Sequence, residues 1–217
     1  MATKKQDKRA IKDAVYEQIA RVSKALASPK RLELVALLTQ SPKSVEELVE
    51  ETGVSMKLAS AHLRALRLAC LVETERQGKR IIYRLASSEV AAVWVRLHQL
   101  AEARLAELQS VVTSLGESDG EWRSETRGDL IKKAKEGDVI LLDVRPESEF
   151  AYGHLPHARS IPYDELKTRL GELPSDRPIV AYCRGPYCLF AKDAVDLLNR
   201  RGYKATQLRE GTAEWAA

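Results

Sequence analysis

Apolar residues in the first half of the chain recur every three or four positions, which is the spacing of one helix face. The first such stripe consists of Ile11, Val15, Ile19, Val22 and Leu26. It predicts a first helix over residues 11–26, after a polar N-terminal segment that we expect to fray. A second helix follows the break at Ser28-Pro29, since Leu32, Val35 and Leu38 continue the spacing.

A pair of helices joined by a glycine turn comes next. Ser44 stands three residues before Glu47, which is the pattern of a capping box at the start of a helix ending near Glu51. Gly53 marks the turn, and Ser55 caps a further helix that runs to about residue 69.

Two short strands follow, and a long helix ends this half. Residues 71–76 and 80–85 surround a turn at Gly78, which predicts a hairpin. The order helix, turn, helix, hairpin is the layout of a winged helix-turn-helix. The last helix, over 88–115, has more apolar positions than a small domain buries, so we expect a partner helix and a dimer. Its stripe consists of Val90, Val93, Trp94, Leu97, Leu100, Ala101, Leu105, Leu108, Val112 and Leu115.

The second half alternates short apolar runs with helical patterns. Helices are predicted over 130–135, 163–170 and 189–200, and strands over 139–142, 179–182 and 205–208. That order predicts a small α/β domain with a mostly parallel sheet. The fold class is therefore multidomain: a mainly α winged-helix domain over 1–115, a polar linker over 116–121 and an α/β domain over 122–217.

The two halves of the chain differ in net charge. Residues 1–116 hold 19 Lys and Arg against 13 Asp and Glu, a net charge of +6, while residues 117–217 hold 16 against 18, a net charge of −2. The basic half is the one expected to meet a polyanion. The chain shows no run of 18 apolar residues and no signal peptide, so we expect a soluble, cytoplasmic protein.

The basic side chains of the first half predict a surface for double-stranded operator DNA. In a winged helix-turn-helix the second helix enters the major groove, and the wing lies along the backbone. Lys and Arg suit guanine edges or phosphates, and Ser suits either. The candidate DNA-binding residues are Lys30, Arg31, Ser55, Lys57, Ser60, His62, Arg64, Arg67, Lys79 and Arg80. For His62, packing and base contact are equally open.

The segment from ALASPKRLELVALL to the hairpin KRIIYRL resembles the ArsR-type family of dimeric repressors, over about residues 13–115. The pattern around Ser60-Ala61-His62-Leu63 and the wing carry this resemblance. It implies a homodimer formed by the first and last helices, 11–26 and 88–115, and DNA binding that a ligand weakens.

The residues that sense ligands in that family are missing here. The helix before the turn, Val45 to about Glu51, contains no cysteine, and His98 stands alone on the last helix, where we expect an ordinary helix-face residue. Cys70 has no cysteine partner in this half and is expected to be a small packing residue. We therefore expect no metal site, and no cofactor is implied. Any sensor should lie in the second half.

The second half resembles the rhodanese (thiosulfate sulfurtransferase) domain, over about residues 122–217. The resemblance rests on separated motifs in order: Asp143-Val144-Arg145, Gly153-His154-Leu155-Pro156, and a closing segment Gly211 to Trp215. It implies that Cys183, at the end of a later strand, is the catalytic cysteine. Asp143, Arg145 and His154 are expected to hold the fold.

The segment Cys183-Arg184-Gly185-Pro186-Tyr187-Cys188 lies between a predicted strand and a predicted helix. Backbone N–H groups and the helix dipole stabilise a thiolate at such a position, so Cys183 is expected to be a nucleophile. Related phosphatases and arsenate reductases use Cys-x5-Arg, but the sixth residue after Cys183 is Leu189. Phosphoryl and arsenate chemistry are therefore disfavoured.

The resemblance implies that the Cys183 thiolate takes the outer sulfur of a donor such as thiosulfate or polysulfide and becomes a persulfide. The N–H groups of Arg184, Gly185, Tyr187 and Cys188 would stabilise the charge on the terminal sulfur, while Pro186 has no N–H. Arg184 would attract an anionic donor. Cys188 has two open interpretations: it resolves the persulfide into a disulfide or a longer sulfur bridge, or it is a small apolar residue that starts the helix.

The sequence thus favours a dimeric repressor whose rhodanese domain senses or accepts sulfane sulfur at Cys183. One alternative is a sulfurtransferase whose DNA-binding domain regulates its own operon or only dimerises the chain. The other is a repressor with an inert rhodanese-like module.

Overall fold

The protein is described by a computed structural model that covers residues 2–114 and 126–217, with side chains from residue 7 onward. It divides into two compact units, the first ending at Trp94 and the second starting at Val95. The predicted linker, 116–121, lies outside the described residues. None of the described helices is both long and apolar enough to cross a bilayer.

The first unit has the predicted order of helices followed by a hairpin. Its elements are α1 (Ala2–Leu26), α2 (Pro29–Leu38), β1 (Lys43–Ser44), α3 (Val45–Thr52), α4 (Met56–Leu68), β2 (Val72–Gln77), β3 (Arg80–Leu85) and the start of α5 (Ser88–Arg104). β1, which the sequence pattern did not predict, pairs antiparallel with β3, so the sheet order is β1-β3-β2.

Local sequence explains the turn between α3 and α4. The Ser44 hydroxyl accepts from the Glu47 amide, and the Glu47 carboxylate accepts from the Ser44 amide at 2.7 Å, so the predicted capping box is confirmed. Gly53 closes α3 at a φ of 65°, which glycine adopts without steric cost. The Ser55 side chain then caps α4, as predicted.

Two expectations for the helices need correction. The polar N-terminal segment, which we expected to fray, is part of α1 from Ala2 onward, consistent with the high helix propensity of its Lys, Gln, Arg and Ala residues. The last helix is interrupted at Leu105, so that α6 (Ala106–Ser114) follows α5. At this interruption the Glu102 carbonyl accepts a hydrogen bond from the side-chain amide of Gln109, at 2.8 Å.

The second unit contains the predicted α/β domain. Its elements after α6 are α7 (Arg127–Glu136), β4 (Ile140–Asp143), α8 (Glu147–Tyr152), β5 (Arg159–Ser160), α9 (Tyr163–Arg169), a 3-10 turn (Leu170–Glu172), β6 (Ile179–Tyr182), α10 (Leu189–Arg200), β7 (Ala205–Gln207) and α11 (Thr212–Ala216). The sheet order is β5-β4-β6-β7 and every pair is parallel, which confirms the predicted fold class.

Alternation along the two central strands divides the core into two layers. Ile179, Ala181 and Cys183 pack with α10 on one face of the sheet, while Val180 and Tyr182 pack with Leu130 on the other. Because successive side chains of a strand point to opposite faces, strands buried on both sides read as continuous apolar runs. The same alternation places Cys183 at the carboxyl edge of the sheet, on the α10 side.

Candidate functional site

Cys183 is the first residue after the buried strand β6, and only 2% of its surface is exposed. The six-residue segment 183–188, here named the cysteine loop, leads into α10, for which Cys188 is the N-cap residue. The loop begins directly after β6 and ends directly before α10, so these two elements hold its ends. Cys183 and Cys188 are thereby kept beside the N-terminus of α10.

The two cysteines of the loop are joined by a disulfide, with their Cα atoms 6.3 Å apart. This distance lies within the usual range for bridged cysteines. The structure therefore brings Cys188 to Cys183, as the interpretation of Cys188 as a resolving residue requires. The amide of Cys188 donates to the Gly185 carbonyl at 3.2 Å, so this expected donor to a terminal sulfur is engaged within the loop.

Arg184 is held by a glutamate that the sequence reasoning did not single out. Its guanidinium donates to both carboxylate oxygens of Glu149, at 2.6 and 3.0 Å, and Glu149 is fully buried. The pair neutralises much of the Arg184 charge, which weakens the expected attraction of an anionic donor. No local sequence pattern connects two residues that lie 35 positions apart.

The cysteine loop also packs tightly against the segment that precedes α11. A Cβ atom on Gly211 would lie 2.7 Å from the carbonyl carbon of Arg184 and 2.8 Å from the Gly185 amide nitrogen. Gly185 has a φ of +133°, and a Cβ there would lie 3.1 Å from both carboxylate oxygens of Glu214. Both glycines are therefore required by backbone contact or conformation.

Glu214 is a buried carboxyl group at this contact, only 5% exposed. It accepts from the Gly211 amide at 2.8 Å and lies 3.2 Å from Nε2 of His98. We expected His98 to be an ordinary helix-face residue, but that expectation is wrong, because the second unit buries it to 6% exposure. Glu214 stands three residues after Gly211, as the glutamate of a capping box does, although glycine has no hydroxyl for the reciprocal bond. This spacing could have identified the carboxyl group but not its histidine partner.

Tyr187 extends the same contact to α5. Its ring meets the His98 ring edge-on with centroids 5.5 Å apart, and its hydroxyl lies 3.4 Å from a Glu102 carboxylate oxygen. Burial and then the charge of Glu102 raise the pKa of Tyr187 to about 12, so the hydroxyl stays protonated. Arg209 donates to the other carboxylate oxygen of Glu102 at 2.9 Å.

Two of the three residues expected to hold the fold, Asp143 and Arg145, are buried at the carboxyl end of β4, whereas the expected role of His154 stays a prediction. Asp143 and Arg145 form a buried ion pair at 2.6 Å, and Arg145 also donates to the Gly153 carbonyl. Burial alone would lower the pKa of Arg145, but hydrogen bonds and charge from Asp143 raise it. His154 is exposed and bonds to the Phe150 carbonyl through Nδ1.

The first unit exposes most of the predicted DNA-binding side chains. On α4, Leu63 and Leu66 are buried, so the opposite face is turned outward. His62 is half-buried. The exposed candidates are Ser55, Lys57, Ser60, Arg64, Arg67, Lys79 and Arg80.

Lys30 and Arg31 lie in contacts within the first unit. Lys30 Nζ bonds to Glu33 at 2.8 Å and to the Thr52 carbonyl at 3.1 Å. Arg31 donates to the carbonyls of Lys24 and Ala25, near the C-terminal end of α1. Their expected phosphate contacts stay predictions.

Cys70 differs from its expected packing role, because it is exposed and has a φ of 58°. The chain leaves α4 here through a left-handed residue, with the Leu71 amide bonded to the Leu66 carbonyl, as at many helix ends. Within the described ranges no three His, Cys, Asp or Glu side chains cluster as metal ligands.

Comparison with known proteins assigns each half. The family model of the rhodanese-like domain matches residues 126–217, and that of the bacterial regulatory protein arsR family matches residues 28–74. A sulfurtransferase of Allochromatium vinosum is 36% identical over 80 residues, which are 36% of this chain and 73% of that protein. The homodimeric winged helix-turn-helix DNA-binding domain of a Mycobacterium bovis protein is 40% identical, covering 44% of this chain and 89% of that chain with a TM-score of 0.42.

One relative extends over nearly the whole molecule. The HTH-type transcriptional regulator Rv0324 of Mycobacterium tuberculosis is 41% identical over 204 residues, which cover 94% of this chain and 89% of the relative. This match, with the two domain models in chain order, shows that the chain belongs to the ArsR-type HTH transcriptional regulators and carries a rhodanese-like domain in its second half.

Proposed function

We propose that this regulator is a homodimeric, cytoplasmic repressor whose rhodanese-like domain accepts sulfane sulfur at Cys183 and thereby alters operator affinity. The observation that carries the proposal is the bridge between Cys183 and Cys188 in a transcriptional regulator. Such a bridge gives the cysteine loop two chemical states, open and closed, which a regulator can use.

The closing reaction balances with a sulfane donor as the oxidant. The Cys183 thiolate attacks the outer sulfur of thiosulfate, forms a persulfide and releases sulfite. The Cys188 thiolate then attacks Sγ of Cys183, forms the disulfide and expels hydrosulfide. Two thiols are oxidised and one sulfane sulfur is reduced to sulfide, so no other oxidant is needed. A polysulfide reacts in the same way and leaves a shorter polysulfide.

The exposed face of α4 and the wing support the DNA-binding half of the proposal. Lys57, Arg64 and Arg67 project from α4, while Lys79 and Arg80 lie at the wing. Cations on a major-groove helix can read guanine or hold phosphate, and those on a wing hold the backbone. We propose that this surface lies in residues 1–115 and reads an inverted repeat.

Exposed apolar side chains on the first and last helices support a dimer. On α1, Ile11, Val15 and Ile19 are each more than half exposed. Along the last helices Leu100, Leu105 and Val111 are also more than half exposed. Apolar stripes of this kind are covered by a partner in most soluble proteins, and a second copy of the same helices supplies one.

The likeness to a sulfurtransferase favours a second candidate, an enzyme that turns sulfur over at Cys183. The two candidates differ in a measurable way. An enzyme passes sulfur to an acceptor such as cyanide in many cycles, whereas a sensor changes its operator affinity when the loop is loaded.

A DNA-binding titration with and without polysulfide tests the proposal. Fluorescence anisotropy should show a change of at least fivefold in operator affinity for the wild type and none for Cys183→Ser. Intact-mass spectra should show a disulfide in the wild type and a persulfide, about 32 Da heavier by one sulfur atom, in Cys188→Ser. Cys70→Ser is the matched control, because this third cysteine lies outside the loop, and it should respond as the wild type does. Rapid transfer to cyanide with unchanged operator affinity would exclude the sensor and leave the enzyme.

A further inference from the structure

The cysteine loop and the neighbouring Glu214 contact α5, the helix that belongs to the predicted dimer interface. Glu214 packs against Gly185 within the loop and meets His98 of α5 at 3.2 Å. Tyr187, next to Cys188, meets His98 and Glu102. His98 and Glu102 are four positions apart, so they share one face of α5.

The burial of these groups makes the contact sensitive to the shape of the loop. The side chains of His98 and Glu214 are only 5% and 6% exposed. A buried polar group that loses its partner costs far more than an exposed one, because water does not replace the hydrogen bond. When the loop moves slightly, His98 and Glu214 are therefore expected to exchange hydrogen-bond partners rather than to keep a lengthened hydrogen bond.

We propose that the His98–Glu214 contact, supported by Tyr187, is the positioning contact through which the open or closed state of the Cys183–Cys188 bridge reaches α5. This inference rests on the proposed function, since it names the route of the same regulation. Closing the bridge holds Tyr187 and Gly185 in the described geometry. Opening it frees Cys188 from Cys183, so the loop can move against Glu214 and change the partner that His98 meets.

Thermodynamic linkage makes the proposal testable without DNA. If α5 contacts the closed loop and the open loop differently, a change at His98 must alter the equilibrium between the two. That equilibrium is measured on the full chain by titration in glutathione redox buffers. For a two-electron couple, a tenfold change in the equilibrium constant is about 30 mV.

His98→Leu removes the ring nitrogens and keeps an apolar side chain of similar reach. We expect it to change the redox equilibrium constant of the bridge about fivefold or more, and to bring the ratio of operator affinities, bridged against reduced, close to one. His98→Gln keeps a donor near the position of Nε2, so it should restore much of the wild-type behaviour. Gln99→Leu, which adds a leucine at the exposed neighbouring position of α5, is the matched control and should change neither quantity.

Glu214→Gln provides the second variant, since it keeps the size of the side chain and changes its charge. In a double-mutant cycle with His98→Leu, the effects on the redox equilibrium should be clearly non-additive. Circular dichroism first checks that each variant is folded, and the redox equilibrium of Glu214→Gln decides the matter if His98→Leu does not fold.

The outcomes separate the two proposals. If the wild type binds operator equally well when bridged and reduced, the proposed function fails and this inference fails with it. If the wild type responds but His98→Leu and Glu214→Gln keep both its affinity ratio and its redox equilibrium within twofold, the proposed function stands and the His98 route is wrong.

Discussion

Replacing Gly211 by alanine tests the packing behind the cysteine loop. The new Cβ would lie 2.7 to 2.9 Å from three backbone atoms of Arg184 and Gly185, closer than such atoms can approach. These three atoms belong to the main chain, so no flexible side chain can move away to relieve the contact. The loop or the start of α11 must therefore shift.

The expected cost follows from three contributions. Overpacking of this kind destabilises a protein by about 1–3 kcal/mol. Alanine lowers the conformational entropy of the unfolded chain, which stabilises the folded protein by about 0.4–1 kcal/mol. Loss of glycine at the N-cap of α11 costs roughly 0.5–1 kcal/mol, which offsets that entropic stabilisation. We expect a net loss of about 1–3 kcal/mol in the free energy of unfolding.

The assay is urea unfolding monitored by Trp215, which packs against the second core layer of this domain. Trp94→Phe and Trp122→Phe in all proteins make Trp215 the sole reporter. Reduced Gly211→Ala should also show an altered rate of Cys183 alkylation in a Cys70→Ser, Cys188→Ser background. Gly153→Ala is the matched control, because a Cβ there meets nothing within 4 Å and its backbone is extended. Unfolding energy within about 0.5 kcal/mol of the parent, with unchanged alkylation, would refute the tight packing of the loop.

Three further predictions concern the rest of the molecule. Arg64→Ala should weaken specific operator binding by roughly 1–3 kcal/mol if Arg64 reads a base, as measured by fluorescence anisotropy with Arg200→Ala as the control variant. The operator affinity of the wild type should fall steeply as the salt concentration rises. Operator binding that survives the replacement of Lys57, Arg64 and Lys79 together would contradict the placement of α4 in the major groove. Asp143→Asn removes the charge that compensates the buried Arg145 guanidinium, so it should lower the free energy of unfolding in urea by about 3–5 kcal/mol. Glu165→Gln, at an exposed ion pair, is the control and should change that free energy little. Similar small effects for both variants would contradict a structural role for the Asp143–Arg145 pair. Burial would raise the pKa of Glu47, but its hydrogen bonds with Ser44 hold that pKa below the usual value. The depressed pKa stabilises the folded state above the unfolded pKa of about 4.3, so Glu47→Gln should lower the thermal midpoint at pH 7, and the difference should shrink as the pH falls toward 3; a difference independent of pH would oppose this account.

Local sequence was sufficient for the longer elements and their order, but the short elements β1, α8, β5 and α11 were not predicted. Apolar spacing predicted the longer helices, and the bounds of β6 and α10 agree with the structure to the residue. Ser44 and Ser55 predicted the helix starts through capping, which depends on residues only three apart. The alternation of strands and helices likewise predicted the α/β fold of the second half, and its resemblance to the rhodanese domain implied the same fold.

The tertiary structure alone decided the partners of the site. Glu149 meets Arg184 across 35 positions, and His98 meets Glu214 across 116. Spacing along the chain reports only which face of an element a residue occupies, and His98 lies on a helix whose sequence gives no sign of a carboxyl partner. Cys70 shows the same limit, since its exposure depends on how the chain leaves α4. The sequence by itself thus determined that two cysteines lie in a segment between a strand and a helix. The packing of distant segments determined which groups hold that loop, because such contacts arise only when the chain is folded.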